Sequence, residues 1–186
     1  MHRKKLIVTG PTASGKSDLS IELAGDVFEV VSADSVQVYR YMDIGSCKPS
    51  LAEREQVPHH MIDIVDPDYQ FTAGDYCNGA SDVCVEIYKR ARIPMFVGGA
   101  GLYIDSFFFG ISGIPDIPGH VKGGLIEEIE QKGPAVLYEE LMLADPLFAS
   151  RIHMNDRQRI VRGLEVFRWT GRTISSFHNE KVTFSG

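Results

Sequence analysis

The sequence predicts an α/β fold in which an open parallel sheet is flanked by helices, with a small helical insertion. Over residues 1–114, short apolar and β-branched runs alternate with segments of helical periodicity, which is the pattern of βαβ units. After Gly110 the composition shifts towards glycine and proline, and the segments that follow are helical only. We therefore expect a core at 1–114, a helical insertion at 115–150 and a return to the core at 151–186.

The composition is that of a folded globular protein. Of its 186 residues, 44% are hydrophobic and 24% are charged, and no apolar run reaches the roughly 18 residues that cross a bilayer. The net charge of −6 argues against nucleic-acid binding by general charge attraction, so such binding needs a local basic face. The cysteines lie far apart, which favours a reducing compartment and neither a disulfide framework nor a zinc site. We expect a cytoplasmic monomer that contacts no membrane.

The first half of the chain contains the main strand signals. The predicted strands are Leu6–Val8, Phe28–Val31 and Met61–Val65, and the last two are apolar runs that end in polar residues. A helix follows the glycine-rich turn after the first strand, with apolar residues at helical spacing from Leu19 to Ala24. A longer amphipathic helix begins at Thr72, where Thr72 and Asp75 have the spacing of a capping box.

The rest of the chain is mostly helical. A strand at Met95–Val97 ends in a glycine-rich turn and leads into a buried helix at Leu102–Phe109. The insertion contains two predicted helices, at about 120–132 and 134–144. A final helix is capped at Asn155-Asp156 and stops at Gly171, and Lys181–Phe184 has the composition of a short strand.

One motif indicates a phosphate-binding site. The residues from Gly10 to Ser17 fit the pattern G-x-x-x-x-G-K-[ST] between a strand and a helix, which is the context that a P-loop requires. Backbone N–H groups and the helix N-terminus can surround a polyphosphate, Lys16 adds a mobile charge, and Ser17 can hold Mg²⁺. This predicts a P-loop NTPase-like sheet that binds a nucleotide such as ATP, or a diphosphate, through Gly10, Pro11, Thr12, Ala13, Ser14, Gly15, Lys16 and Ser17.

Two further features indicate ligand binding. One is a carboxylate at the edge of the sheet where the phosphate loop leaves it, and the other is a cluster of side chains that suit phosphate. Asp34 follows the second strand, where parallel sheets bind ligands, so it can act as a base or hold Mg²⁺ through water, or it can simply cap the strand exit. Arg157, Arg159 and Arg162 cluster at the start of the final helix. Arginine forks match phosphate geometry, although a solvated basic face explains such a cluster equally well.

Together these residues resemble the tRNA dimethylallyltransferases, also called tRNA isopentenyltransferases. The resemblance covers nearly the whole chain and rests on several motifs in one order. They are GPTASGKS from Gly10, ADSVQVYRYMDIGSCKPS from Ala33, VPHHMIDIVDP from Val57, FTAGDY from Phe71, IPMFVGGAGLYI from Ile93 and IHMNDRQRIVRGLEVF from Ile152. The family transfers a dimethylallyl group from dimethylallyl diphosphate to N6 of the adenosine adjacent to the anticodon of tRNA.

The resemblance also implies roles for individual residues. The phosphate loop, with Lys16 and Mg²⁺, stabilises the diphosphate leaving group of dimethylallyl diphosphate, and Asp34 is the general base at the acceptor N6. The helical stretch after Pro115 corresponds to the part of the family that grips tRNA. The residues implied to contact tRNA are Asp34, Ser35, Val36, Gln37, Ala100, Lys122, Gln158, Arg159, Ile160, Val161 and Arg162.

The chain departs from the family pattern at three positions. The family usually has Thr at Ala100, Pro at Met154 and Ala at Gly163, so a hydroxyl at the second glycine-rich turn is missing. Relatives continue beyond Gly186, and we therefore expect the chain to be truncated at its C-terminus.

Two other functions share parts of this pattern. An adenylate isopentenyltransferase, which prenylates a free nucleotide, has the same phosphate loop and the segment Pro58-His59-His60, but the DSVQVYRYMDIG stretch and a helical insertion fit the tRNA type better. A small-molecule kinase would use Lys16, Ser17 and Asp34 for ATP and Mg²⁺, yet the sequence has no obvious lid of clustered arginines.

Overall fold

The computed structural model describes residues 4–11, 13–178 and 180–182, and it confirms the predicted α/β fold. The strands are β1 (Leu6–Thr9), β2 (Phe28–Ser32), β3 (His59–His60), β4 (Ile93–Gly98), β5 (Ile111–Ser112) and β6 (Lys181–Val182). The helices are α1 (Lys16–Ala24), α2 (Leu51–Gln56), α3 (Ala73–Lys89), α4 (Gly101–Phe109), α5 (Gly119–Lys132), α6 (Pro134–Ala144), α7 (Pro146–Ala149), α8 (Arg157–Thr170) and α9 (Ile174–His178). Within this described part, no helix is long and apolar enough to cross a membrane.

The first four strands form one parallel sheet in the order β1-β4-β2-β3. Its register brings three strand ends together, because Thr9 of β1 pairs with Gly98 of β4 and Ser32 of β2 pairs with Val97. The loops that follow these strands therefore leave the sheet at one edge, where ligands bind in open parallel sheets.

Alternate side chains of the central strands enter two different cores. Val31 and Phe96 pack against α3 and α4 on one face of the sheet, whereas Val30 and Met95 on the other face pack against Ala24 of α1. This alternation follows from the two-residue period of a strand, and it explains why the central strands are almost continuously apolar. The sheet is thus covered by helices on both faces.

A charged side chain is buried inside β2. Glu29 is 1% exposed and accepts two hydrogen bonds from Arg90, at 2.8 and 2.7 Å, while Nε2 of His60 lies 2.7 Å from Glu29 Oε2. The hydrogen bond from Arg90 lowers the pKa of Glu29 although burial opposes its charge. These contacts tie β2, β3 and the C-terminal end of α3 together, because breaking them would leave a buried charge without a partner.

The helices after β5 form their own apolar core. Its most buried members include Leu125 of α5, Leu141 of α6 and Leu164 of α8. Arg168 of α8 joins the same three helices on their surface, with hydrogen bonds to Glu140 at 2.6 and 2.9 Å and to Glu128 at 2.7 Å. Both the apolar stripe and the ion pairs therefore hold α8 against α5 and α6.

The chain divides into two compact units, one reaching to Ile111 and one over Ser112–Val182. The short strands β5 and β6 form a separate two-stranded sheet. This division follows packing alone, and the functional division into 1–114, 115–150 and 151–186 stays a prediction.

One predicted strand is wrong. The segment Met61–Val65 was expected to be the third strand, but the paired residues are His59 and His60, and of the predicted segment only Val65 forms a bridge, to Tyr39. Met61 and Asp63 have φ values of 62° and 56°, and a chain in this left-handed region cannot continue a strand. The apolar run is therefore a folded turn rather than an extended strand.

The short helices were not predicted. The helix α2 has six residues and none is buried, so it lacks the apolar stripe that marks a helix in a sequence. The helices α7 and α9 have four and five residues. For the strand expected at Lys181–Phe184, the structure shows pairing at Lys181–Val182, and the remaining residues lie outside the described part of the chain.

Candidate active site

The phosphate loop connects β1 to α1 and has the geometry of an anion site. Gly15 is the N-cap of α1 with φ 78°, a left-handed conformation that glycine adopts without a Cβ penalty. Ala13 is also left-handed, with φ 61°. The first N–H groups of α1 have no partner within their own helix and point towards the loop, where they favour an anion. Thr12 lies outside the described residues.

Lys16 is folded back onto this loop. Its ammonium donates to the carbonyl of Pro11 at 2.6 Å and to Ser14 Oγ at 3.4 Å. The charge therefore stays over the loop, within reach of the space that a phosphate would fill. Gly10 leaves room for this arrangement, since a Cβ there would lie 3.2 Å from Ser14 Oγ.

Asp34 is held in a tight turn directly after β2. Its Oδ1 accepts hydrogen bonds from the backbone N–H groups of Val36, at 2.8 Å, and Gln37, at 3.2 Å. Both bonds use Oδ1, so the turn fixes the carboxylate through one oxygen. A turn of this type is a common reason for Asp at a strand exit, and here it also orients the second oxygen.

The end of β4 is pressed against the end of β2 immediately before Asp34. Ala33 donates to the carbonyl of Val97 at 2.8 Å, and its own carbonyl accepts from Ala100 at 2.9 Å. A Cβ on Gly98 would lie 2.0 Å from the Ala33 carbonyl oxygen, so this position requires glycine. The second glycine-rich turn therefore serves to bring two strand ends into contact.

A cleft of about 340 Å³ opens between the phosphate loop and the turn of Asp34. Of the predicted site residues, the structure brings seven together along this cleft: Ala13, Ser14, Gly15, Lys16, Ser17, Asp34 and Gln37. Ser35 and Val36 are exposed on the same turn, and Ala100 is the half-buried N-cap of α4. The loop, the helix N-terminus and the carboxylate thus line one cleft.

His59 also lines the cleft, which the sequence did not predict. Its Nδ1 lies 2.6 Å from the Val57 carbonyl, which makes Nδ1 the donor. Burial lowers the pKa of His59, and the positive charge of Arg54 lowers it further. The signal was present in the sequence as Pro58-His59-His60, but nothing local showed which imidazole faces the site.

A buried lysine supports the outer wall of the cleft. Lys48 is 3% exposed at its side chain and donates to the Tyr39 carbonyl at 2.7 Å, to Asp43 at 2.9 Å and to Asp63 at 2.7 Å. Burial opposes its charge, but the hydrogen bonds to the two carboxylates outweigh this and raise the pKa of Lys48. Asp63 also accepts from Arg54 at 2.7 Å. This network joins the segment before Lys48 to the turn after β3.

Among the described residues, no group of three or more His, Cys, Asp or Glu side chains is arranged to hold a metal ion. The Ser17 hydroxyl and the Asp34 carboxylate line the same cleft. A hydroxyl and a carboxylate suit Mg²⁺ when phosphate oxygens and water supply the remaining ligands, so this donor set fits Mg²⁺ bound together with a diphosphate.

The other predicted tRNA-contacting residues belong to the second unit. Lys122 is exposed on α5, and Gln158, Arg159 and Arg162 are exposed on the first turns of α8. Arg159 lies 3.5 Å from Asp156, the N-cap of α8, and Arg162 lies 3.3 Å from Glu165. Ile160 and Val161 are buried in the core of this unit, so their side chains do not face solvent.

Two family models match the chain and together span residues 3–185. One described as IPP transferase matches residues 37–185, and one described as Isopentenyl transferase matches residues 3–63. The chain is 49% identical over 181 residues to a tRNA dimethylallyltransferase of Geobacter sulfurreducens, which covers 95% of this chain and 57% of the relative. It is 45% identical to tRNA dimethylallyltransferase 1 of Syntrophotalea carbinolica, over 94% of this chain and 56% of the relative.

Solved structures agree with these matches. A eukaryotic dimethylallyltransferase acting on tRNA superposes with a TM-score of 0.76 at 32% identity, over 97% of this chain and 45% of that one. A tRNA isopentenylpyrophosphate transferase from Bacillus halodurans gives a TM-score of 0.56 at 38% identity, over 92% of this chain and 57% of that one. The chain therefore spans about half the length of the relatives it matches.

Proposed function

This chain is a member of the IPP transferase family, and on that premise we propose that it transfers a dimethylallyl group from dimethylallyl diphosphate to N6 of the adenosine adjacent to the anticodon in tRNA. The observation that carries the proposal is the shared cleft, in which Lys16 and Ser17 of the phosphate loop face the same space as Asp34. Relatives named tRNA dimethylallyltransferase support the choice of substrate class.

The loop acts on the leaving group. When the bond between the allylic carbon and the diphosphate oxygen breaks, negative charge develops on the diphosphate, and the N–H groups at the start of α1 stabilise it. Lys16 exchanges the Pro11 carbonyl for a phosphate oxygen, a short movement because its ammonium already lies over the loop. An allylic carbon tolerates the positive charge that remains, so the weakly nucleophilic adenine amine can attack it.

Mg²⁺ is part of this proposal. The Ser17 hydroxyl would hold it directly, with diphosphate oxygens and water completing the coordination. A divalent cation supplies Lewis-acid stabilisation of the departing diphosphate. The loop amides stay in place throughout, and Lys16 is the group that moves to meet the diphosphate.

Asp34 removes the proton from N6. As the new bond between N6 and the allylic carbon forms, the nitrogen becomes more acidic, and a carboxylate oxygen within hydrogen-bond distance accepts its proton. The turn at Val36 and Gln37 occupies Oδ1, which leaves Oδ2 for this task. The proton therefore ends on Asp34 and the electron pair of the broken C–O bond ends on diphosphate.

We further propose that tRNA is held by local basic residues rather than by overall charge. The net charge is −6, so phosphates must meet exposed cations such as Lys122, Arg159 and Arg162. Ser35, Val36 and the backbone of this turn lie beside Asp34, where an extruded adenosine would enter.

The deciding experiment offers radiolabelled dimethylallyl diphosphate with bulk tRNA, with AMP, and with neither. Label that enters tRNA alone supports the proposal. Label that enters AMP alone supports an adenylate isopentenyltransferase, the second candidate; the Isopentenyl transferase model that matches residues 3–63 is compatible with either acceptor. ATP turnover at about 1 per second or faster, with no response to dimethylallyl diphosphate, would instead indicate a small-molecule kinase.

A further inference from the structure

The side-chain amide of Gln37 makes hydrogen bonds in three directions within the protein. Its Oε1 accepts from Ser32 Oγ at 2.8 Å, and its Nε2 donates to the carbonyls of Ser46 and Cys47, each at 3.1 Å. A glutamine amide has two N–H donors, so both carbonyls together use its donor capacity. Nothing is left on the nitrogen to donate to a nucleotide.

These bonds fasten one wall of the cleft, which we call the wall segment and define as Ser46–Cys47. Ser46 is 8% exposed and Cys47 has a left-handed φ of 50°. Such a conformation costs energy in a residue other than glycine and persists only where surrounding contacts impose it. Ser32, at the end of β2, is the fixed point from which Gln37 reaches this segment.

The backbone of Gln37 is fixed as firmly as its side chain. Its N–H donates to Asp34 Oδ1 at 3.2 Å, and its carbonyl accepts from the N–H of Asp63 at 3.0 Å. One residue therefore contacts the strand end, the carboxylate turn, the wall segment and the turn after β3. Both Gln37 and the wall segment line the cleft together with Lys16.

We propose that Gln37 is a positioning residue, which fixes the wall segment relative to Asp34 and the phosphate loop and does not itself read the RNA. This rests on the proposed prenyl transfer only for its effect on rate. Loss of the amide leaves two carbonyls without a donor and frees the strained backbone at Cys47. The cleft then samples conformations in which the Asp34 carboxylate and the phosphate loop are no longer aligned. Turnover therefore falls, while the affinity for tRNA stays unchanged.

The test measures local opening and kinetics separately in Gln37→Leu. Chymotrypsin cleaves after tyrosine, the Tyr41 side chain is 81% exposed, and cleavage there becomes faster when the chain leading into the wall segment opens. We expect native-state cleavage there to rise by about tenfold or more, because both hydrogen bonds to the wall segment are lost. We expect kcat to fall by about tenfold or more and KM for tRNA to stay within about twofold.

Two further variants complete the design. Gln37→Glu keeps an acceptor for Ser32 but has no N–H donors on its side chain, so it should behave like Gln37→Leu. A cleavage rate and a kcat equal to those of the parent chain would overturn the proposal. Gln131→Leu, at an exposed position of α5, is the matched control and should change neither the cleavage rate at Tyr41 nor kcat. Unchanged cleavage at Tyr41 would overturn the positioning role, and a rise in KM for tRNA as the main effect would assign Gln37 to RNA contact instead. The cleavage assay needs no substrate, so its result stands even if the chain transfers no prenyl group.

Discussion

Gly98 and Ala33 approach so closely that a methyl group on Gly98 would stand 2.0 Å from the carbonyl oxygen of Ala33. The contact is between backbones, so no side chain can rotate to relieve it. Ala33 precedes the carboxylate residue Asp34, and Gly98 precedes the turn that lines the other side of the cleft. The separation of the two strand ends, and with it the shape of the site, depends on the absence of one carbon atom.

Gly98→Ala should therefore reduce both stability and activity. We expect the free energy of unfolding to fall by about 1–3 kcal/mol or more, the usual cost of overpacking, because the strand ends must separate. Urea denaturation measures this. Gly101→Ala is the control, since a Cβ at Gly101 meets no atom within 4 Å and alanine favours the first turn of α4. Equal stability of the two variants would show that the strand ends can shift at little cost.

Asp34→Asn should separate binding from chemistry. Asparagine retains an oxygen that accepts from Val36 and Gln37, so the turn survives, but the amide cannot take a proton at N6. We expect turnover to fall by about 10²-fold or more, with donor binding by calorimetry nearly unchanged. Lys16→Ala should show the opposite pattern, with weaker donor binding. Near-normal single-turnover rates in Asp34→Asn at saturating tRNA would disprove the general-base assignment.

The ion pairs of Glu128 should give the second unit a pH-dependent stability. Hydrogen bonds from Arg168 and Lys132 lower the pKa of Glu128 to about 2 from its ordinary 4.5. A lowered pKa stabilises the fold above the ordinary value, and this contribution disappears as pH falls from 4.5 towards 2. Glu128→Gln should therefore lose about 1 kcal/mol or less at neutral pH, and the deficit should shrink in acid.

Urea denaturation at several pH values measures this deficit, with Glu130→Gln as the control at an exposed position of the same helix. A deficit for Glu128→Gln that stays constant down to pH 2 would mean that charge plays no part in holding α5 to α8.

Ala100→Thr should restore a missing helix cap. Ala100 is the N-cap of α4 and makes no side-chain cap hydrogen bond, whereas a threonine hydroxyl can accept from an N–H of the first turn. We expect a gain of about 1 kcal/mol in the free energy of unfolding, and a rise in kcat/KM on one tRNA of at most about tenfold. Higher stability with unchanged kcat/KM would show that the threonine usual in the family at this position caps α4 and does not contribute to catalysis.

Local signals predicted the long elements well. Thr72 and Asp75 form both bonds of the capping box that opens α3, and Asp156 caps α8 by accepting from Arg159. These predictions succeed because a cap and an apolar stripe lie within a few residues of each other in sequence. The helix α2 also has a capping box, from Ser50 and Glu53, but without an apolar stripe this signal alone did not indicate a helix.

The site was predictable where it follows a motif and unpredictable where it depends on distant contacts. The loop and Asp34 were found because each follows a strand, and parallel strands end at one edge. The hydrogen bonds of Gln37 to the wall segment and the burial of Lys48 join residues from separate turns, several of them left-handed. No local pattern specifies such turns, and the wrong strand at Met61–Val65 has the same origin.

The strand order has a consequence for the newly made chain. Among the described strands, β1 is hydrogen-bonded to β4 alone, although α1, β2, β3 and α3 all precede β4 in sequence. At about 5–20 residues per second, a ribosome needs on the order of ten seconds to add the chain between β1 and its partner. Throughout this interval the phosphate loop is tethered to an unpaired, apolar strand, which other chains can join. The element available to cover β1 during this interval is α1, whose Ile21 shares an apolar cluster with Leu6 and Val8 in the folded protein.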